Sequence, residues 1–218
     1  MKKTLFLLPA MALVFILDSC NHDKDKGTVT PAKYPNYSQF KAGSYWVYQR
    51  YTIDSSGNAT PVNEFDSCYV VKDTVIGNKS YVKTYRPDDD WGGYNYSYTR
   101  DSLHYIVSAA GTILFSSQDF ETVLKSAYIM ALPGDTVSHA VTKITDKDLP
   151  VTVTAGTFNT INCQETFYMY PAYSFAGNPR HMNKRYAENT GIVKETMPFF
   201  VSSPNYTERR LIRFHINI

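Results

Sequence analysis

The 218-residue chain is poor in the residues from which most recognisable chemistry is built. It has three cysteines, five histidines and two tryptophans. No Cys-x-x-Cys occurs, and no pair among His22, His104, His139, His181 and His215 has the spacing of a helical or zinc-finger site, so the sequence supports no metal. A Gly-x-Ser-x-Gly elbow, a Walker loop and a dinucleotide fingerprint are all missing, which assigns no catalytic residue and no cofactor. A triad assembled from distant positions leaves no such trace, so a hydrolase with dispersed residues stays open as an alternative. Charge of one sign is lacking too. The formal net charge is +2, which gives no electrostatic case for nucleic acid. Beyond the first 20 residues, no apolar run approaches the ~20 residues needed to span a bilayer as a helix.

What the chain does have is aromatic side chains: 18 tyrosines and 12 phenylalanines, a bias toward pleated, half-buried surfaces. It also has a targeting segment. Met1-Lys2-Lys3 is a basic start, and Leu5 to Leu17 is apolar apart from Pro9, too short to span but of the right length for a secretory segment. Leu17-Asp18-Ser19-Cys20 follows. This resembles the lipobox of bacterial lipoproteins, and the resemblance implies cleavage after residue 19 and lipidation of Cys20. Two or three acyl chains hold a protein firmly at a membrane where one does not. Residues 20–33 offer almost nothing to bury and read as a lipidated, flexible tether with a reach of about 20 Å. Their alternating Asp and Lys also resemble the charged residues that follow the cysteine in surface lipoproteins of Bacteroidota.

Residues 34–218 read as one β-rich domain. Ser44 to Ile53 is aromatic and β-branched, and Asp54-Ser55-Ser56-Gly57-Asn58 is a turn cluster. Residues 64–72 alternate, with Phe65, Ser67 and Tyr69 on one face and Asp66, Cys68 and Val70 on the other. Gly77-Asn78 marks a hairpin into residues 79–86. Further strands are expected at 94–100, 103–107, 112–115, 136–145, 151–154, 160–170, 183–187, 191–196 and 209–216. This spacing predicts an all-β, mostly antiparallel fold, a single-domain sandwich or partly open barrel, with at most one short helix at residues 118–126 and a long loop at 171–180.

Phe40-Lys41-Ala42-Gly43-Ser44-Tyr45-Trp46-Val47-Tyr48 is similar to the opening segment of small β-rich cell-envelope lipoproteins of Bacteroidota. Pro133-Gly134-Asp135-Thr136, Thr154-Ala155-Gly156-Thr157-Phe158 and Arg185 to Lys194 resemble later segments of the same family. The resemblance implies an envelope location, expected to be the outer membrane, and a β-rich fold, and it carries no activity.

Three sites are therefore expected. Cys20 takes the lipid. Cys68 and Cys163 are either a disulfide, which would close a loop of about 95 residues worth roughly 4–5 kcal/mol, or two separate packed thiols. Trp91, Tyr94, Tyr96 and Tyr98 form a tyrosine-dense stretch able to touch a glycan or lipid, or else to pack across strands. The adjacent Asp88-Asp89-Asp90 lacks the alternating ligands of a calcium loop and reads as solvated. The leading function is a non-catalytic binding or interaction module whose partner is a glycan, a lipid or an envelope protein. A lipid carrier with an open, apolar half-barrel is the second reading.

Overall fold

Alternation sets the start of the first strand. Along YWVYQRYTI, Trp46 and Tyr48 are buried between exposed Tyr45 and half-buried Val47 and Gln49, the two-residue period of a pleated chain. Register shifts at Val47–Tyr48 and Gln49–Tyr51 then break the phase, and Ile53 is buried as well. The computed structural model describes residues 33–87, 93–197 and 206–217, and the compact unit begins at Tyr34. Its strands are β1 (Tyr45–Ile53), β2 (Ala59–Ile76), β3 (Lys79–Pro87), β4 (Tyr94–Ser102), β5 (Tyr105–Ser108), β6 (Ile113–Ser116), β7 (Lys125–Leu132), β8 (Asp135–Val153), β9 (Gly156–Met169), β10 (Arg180–Ala187), β11 (Gly191–Thr196) and β12 (Tyr206–His215).

All twelve lie in one sheet in the order β6-β5-β4-β3-β2-β1-β12-β11-β10-β9-β8-β7, every neighbour antiparallel. First and last strands are neighbours, and the two edges, β6 and β7, follow each other in the chain. The sheet is thus a nearly closed barrel with its seam between β6 and β7. Closure removes most of the exposed edge that an open sheet would offer to other chains. At the seam the Cys163 thiol donates to the Leu114 carbonyl (3.4 Å), joining β9 to β6.

The core fills the barrel in three patches. Phe40, Trp46, Tyr48, Val70, Val193 and Leu211 form the largest, while Ile106, Phe115, Ile144, Ile161 and Tyr186 form the second, beneath the seam. Phe115 and Tyr186 stack at 4.2 Å from opposite walls. Ala140, Phe167, Met169 and Met182 make the third.

The segments that carry the family resemblance meet in space. Phe40 packs edge-on against Trp46 at 5.3 Å, and the Trp46 indole N–H donates to the Thr190 carbonyl at 2.6 Å. Tyr48 donates its hydroxyl proton to the Ile192 carbonyl (2.8 Å). Gly191 has φ +86°, and a Cβ there would sit 3.3 Å from the Phe40 ring, so both its conformation and its neighbour ask for glycine. Pro133-Gly134 and Thr154-Ala155 are the turns joining β7 to β8 and β8 to β9. These motifs therefore build the barrel.

Three expectations change. Residues 118–126 form no helix: Asp119 and Ser116 cap a turn, and β7 begins at Lys125. The only helical element among the described residues is a single 3₁₀ turn, Pro171–Ala176, inside the expected loop. Residues 136–145 and 151–154 belong to one strand, β8, whose register shifts between Ile144 and Asp146 and again between Asp146 and Leu149. Such bulges bend a strand without ending it.

Candidate functional site

The interior is not an apolar hollow. Asp66, 1% exposed, faces inward from β2 and accepts two hydrogen bonds from Arg50, from Nε and Nη2 at 2.7 Å each. That fork holds the Arg50 guanidinium pKa above its ordinary value. Arg209, equally buried on β12, lies 3.9 Å from Asp66 and 3.4 Å from Glu195. Glu195 is also reached by Arg86 at 3.3 Å and by Lys184 at 4.0 Å. Charges this deep persist only when paired, and here each carboxylate sits among cations from several strands.

Beside this cluster lies a space of about 100 Å³, walled by Tyr37, Trp46, Tyr48, Ile106, Arg86 and Glu195. A second, also about 100 Å³, lies under the seam beside Cys163 and Lys184. Pockets that enclose small molecules run to ~300–1,000 Å³. A third space, of about 350 Å³, falls within that range and is lined mostly by apolar side chains, Ile129, Val137, Met169, Ala172, Tyr173 and Phe175.

Cys68 and Cys163 are not bridged by a disulfide, which leaves the two separate packed thiols that the sequence also allowed. Cys68 borders the largest core patch and Cys163 belongs to the second. Burial pushes the Cys163 thiol up to about 12, which keeps it protonated and unreactive at neutral pH. Burial likewise raises the Tyr48 and Tyr186 hydroxyls. Among the described residues no three metal-binding side chains converge.

Two serines contact histidines. His104 Nδ1 lies 2.9 Å from Ser116 Oγ, and His139 Nε2 lies 2.8 Å from Ser126 Oγ. Ser116 is fully buried, and its oxygen also accepts the backbone N–H groups of Gln118 and Asp119. It shapes the turn and cannot attack a substrate. Ser126 and His139 sit on an exposed face with their ring stacked on Tyr128 at 4.8 Å. No carboxylate is hydrogen-bonded to either ring among the described residues, so nothing orients them as a triad.

The outer face carries the conspicuous feature. Register places His215, Tyr45, Tyr69, Tyr85 and Tyr96 side by side across β12, β1, β2, β3 and β4. Tyr69 is 43% exposed and Tyr96 48%. The rings touch their neighbours: Tyr45 to His215 at 5.9 Å, Tyr69 to Tyr85 at 5.3 Å, and Tyr85 to both Tyr94 and Tyr96 at 5.2 Å. Lys83 Nζ lies 3.8 Å above the Tyr96 ring and 5.6 Å from that of Tyr98. Phe65, also exposed, flanks the row on β2.

Of the expected contact residues, Tyr94 and Tyr96 stand in this row and Tyr98 adjoins it. Trp91 and Asp88 to Asp90 lie outside the described residues, as does Cys20. Tyr45, Tyr69 and Tyr85 were missed. The Gly77-Asn78 turn, both residues at positive φ, would by itself set Tyr69 opposite Arg86. A bulge between Val70 and Lys72 shifts the β2–β3 register by one and brings Tyr69 opposite Tyr85, so no local signal marked the row.

The fold is that of an all-antiparallel, nearly closed barrel filled by its own side chains, with an aromatic stripe outside. No family model matches the chain, and no curated protein matches it. Among solved structures it is similar to a candidate exported protein of YmcC-like fold from Bacteroides fragilis, at TM-score 0.50 and 12% identity, over 83% of this chain and 99% of that one. A candidate lipoprotein from Parabacteroides distasonis aligns at TM-score 0.49 and 13% identity, over 84% and 100%. The shared fold with a Bacteroides protein agrees with the resemblance to β-rich Bacteroidota lipoproteins in the Phe40–Tyr48 and Arg185–Lys194 segments.

Proposed function

We propose that the chain is a lipid-anchored envelope lipoprotein, attached to the outer membrane through Cys20, and that its β domain is a non-catalytic docking module for another envelope protein. The observation that carries this reading is the row of exposed Tyr45, Tyr69 and Tyr96 with half-buried Tyr85 between them, in register across consecutive strands. Surface patches of this kind mark interaction sites, and tyrosine is enriched in protein interfaces because it offers a large apolar body with a polar tip. The rings lean on one another, and Tyr85 and Tyr94 are within 12° of parallel. Stacked in this way they present edges and hydroxyls, which suits a protein surface better than a sugar ring seeking an open face. The Bacteroides protein of the same fold is described as exported, in keeping with the signal segment.

The test has two arms. Native protein should fractionate with membranes, Cys20→Ala should be released, and mass spectrometry should find acyl chains on residue 20. A photo-crosslinking amino acid placed at 45, 69 or 96 in cells should trap one and the same envelope protein from all three positions, and not from exposed Val75 at the far end of β2. Equal yields from Val75 and the row would remove the docking surface. An unmodified thiol at residue 20 would remove the anchor.

A further inference from the structure

On the opposite stretch of the outer face, β8 to β12 form a polar groove of about 510 Å³, within the size range of small-ligand sites. Its floor is a set of short amide side chains. Asn162 Nδ2 donates to Thr145 Oγ1 (2.9 Å) and to Asn183 Oδ1 (2.8 Å), and Gln164 Nε2 donates to the same Asn183 oxygen (3.0 Å). Both amide protons of Asn162 are thereby used, and the orientation of the group is fixed. Its carbonyl oxygen is left buried in the groove wall, with no donor among the described residues. Asn162 is 2% exposed. An acceptor so placed costs about 1–3 kcal/mol unless something donates to it.

The rim tells what that donor can belong to. Arg185 pairs with Asp146 across Asn162, and Lys194 lies 3.1 Å from Glu208. Arg210 also pairs with Glu208 at 2.8 Å. The carboxylates are matched by cations, so the groove does not select a metal ion, and the cations are matched by carboxylates, so it does not select a phosphate or sulfate. What it does offer is a dense alternation of amide, hydroxyl and carboxylate groups, with the Tyr206 ring at one end. Neutral molecules carrying many hydroxyls, each both donor and acceptor, match such a lining, and a pyranose can lay its C–H face on an aromatic ring.

The geometry points to a saccharide site: the groove between β8 and β12 binds a neutral oligosaccharide, one of whose hydroxyls donates to Asn162 Oδ1. The site lies apart from the tyrosine row and is independent of it.

The full mature chain carrying Cys20→Ser, titrated with maltotriose, cellotriose, mannotriose and triacetylchitotriose and followed by amide NMR shifts, tests this. At least one should shift the resonances of residues 162, 183 and 196, and Asn162→Leu should weaken its binding tenfold or more. Tyr206→Ala, a rim change, should weaken it as well, and serves if Asn162→Leu does not fold. Crosslinking from positions 69 and 96 should be unchanged in both variants. Failure of all four saccharides to shift the groove overturns the site. So does tighter binding of trigalacturonate than of any neutral sugar, or binding that survives both substitutions.

Discussion

Asp66 and Asn162 are almost equally buried polar residues of one sheet, on opposite faces, and they are treated differently. Asp66 faces inward and is saturated by the Arg50 fork, with Arg209 behind it. Asn162 faces outward and has its donors satisfied but its acceptor open. A buried polar group with every valence met is part of the architecture. One left without a donor beside a groove is where the saccharide site is proposed.

That contrast can be broken or sharpened by measurement. The largest effect is expected from Asp66→Ala, which leaves buried Arg209 with Glu195 and takes from half-buried Arg50 its inner partner, and it should destabilise the barrel by about 3 kcal/mol in urea unfolding. Next is Trp46→Phe, which leaves the Thr190 carbonyl without its donor and trims the largest core patch. It should cost about 1–3 kcal/mol. Asn162→Leu should change stability by no more than about 1 kcal/mol, because the orphaned carbonyl leaves together with the two bonds of the amide. If it costs as much as Asp66→Ala, the two residues are alike and the distinction falls. Smallest is Tyr96→Ser on the open outer face, expected within about 0.5 kcal/mol.

The thiols give a pH-dependent check on the inner face. A folded pKa of about 12 for Cys163, above the ordinary thiol value, means the folded state holds that proton more tightly than the unfolded chain. Its stabilising share is complete below about pH 8.5 and is lost as pH rises toward 12. At pH 8 an aromatic disulfide reagent should therefore leave Cys163 untouched until denaturant is added, while half-buried Cys68 reacts first. Rapid modification of Cys163 in the folded protein would show that the β6–β7 seam opens.

Much of the fold was legible because its signals are local. Strand β11, Gly191–Thr196, and the β2–β3 hairpin follow from alternation and turn residues. Strand β7 was not legible. Tyr128, Met130 and Leu132 point outward while Ile129 packs inward, so the edge strand is apolar on both faces and shows no alternation. The unity of β8 was hidden as well, since its bulges absorb Thr145 and residues 147–148 and leave Asp148 at φ 58°. Tyr94 and Tyr96 could be picked out in the sequence, but not as part of a row with Tyr45, which lies some fifty residues away.

By itself the sequence determined the aromatic β character of the domain and its main turns, and it carried the expectation of a secretory start and of a lipobox at Leu17 to Cys20, because each depends on residues close together in the chain. Only the tertiary structure decided which faces look inward, that Asp66 belongs inside, which tyrosines stand side by side, and that Asn162 keeps an open acceptor. Those depend on strand register and closure. A shift of one residue would turn every one of these side chains to the other face.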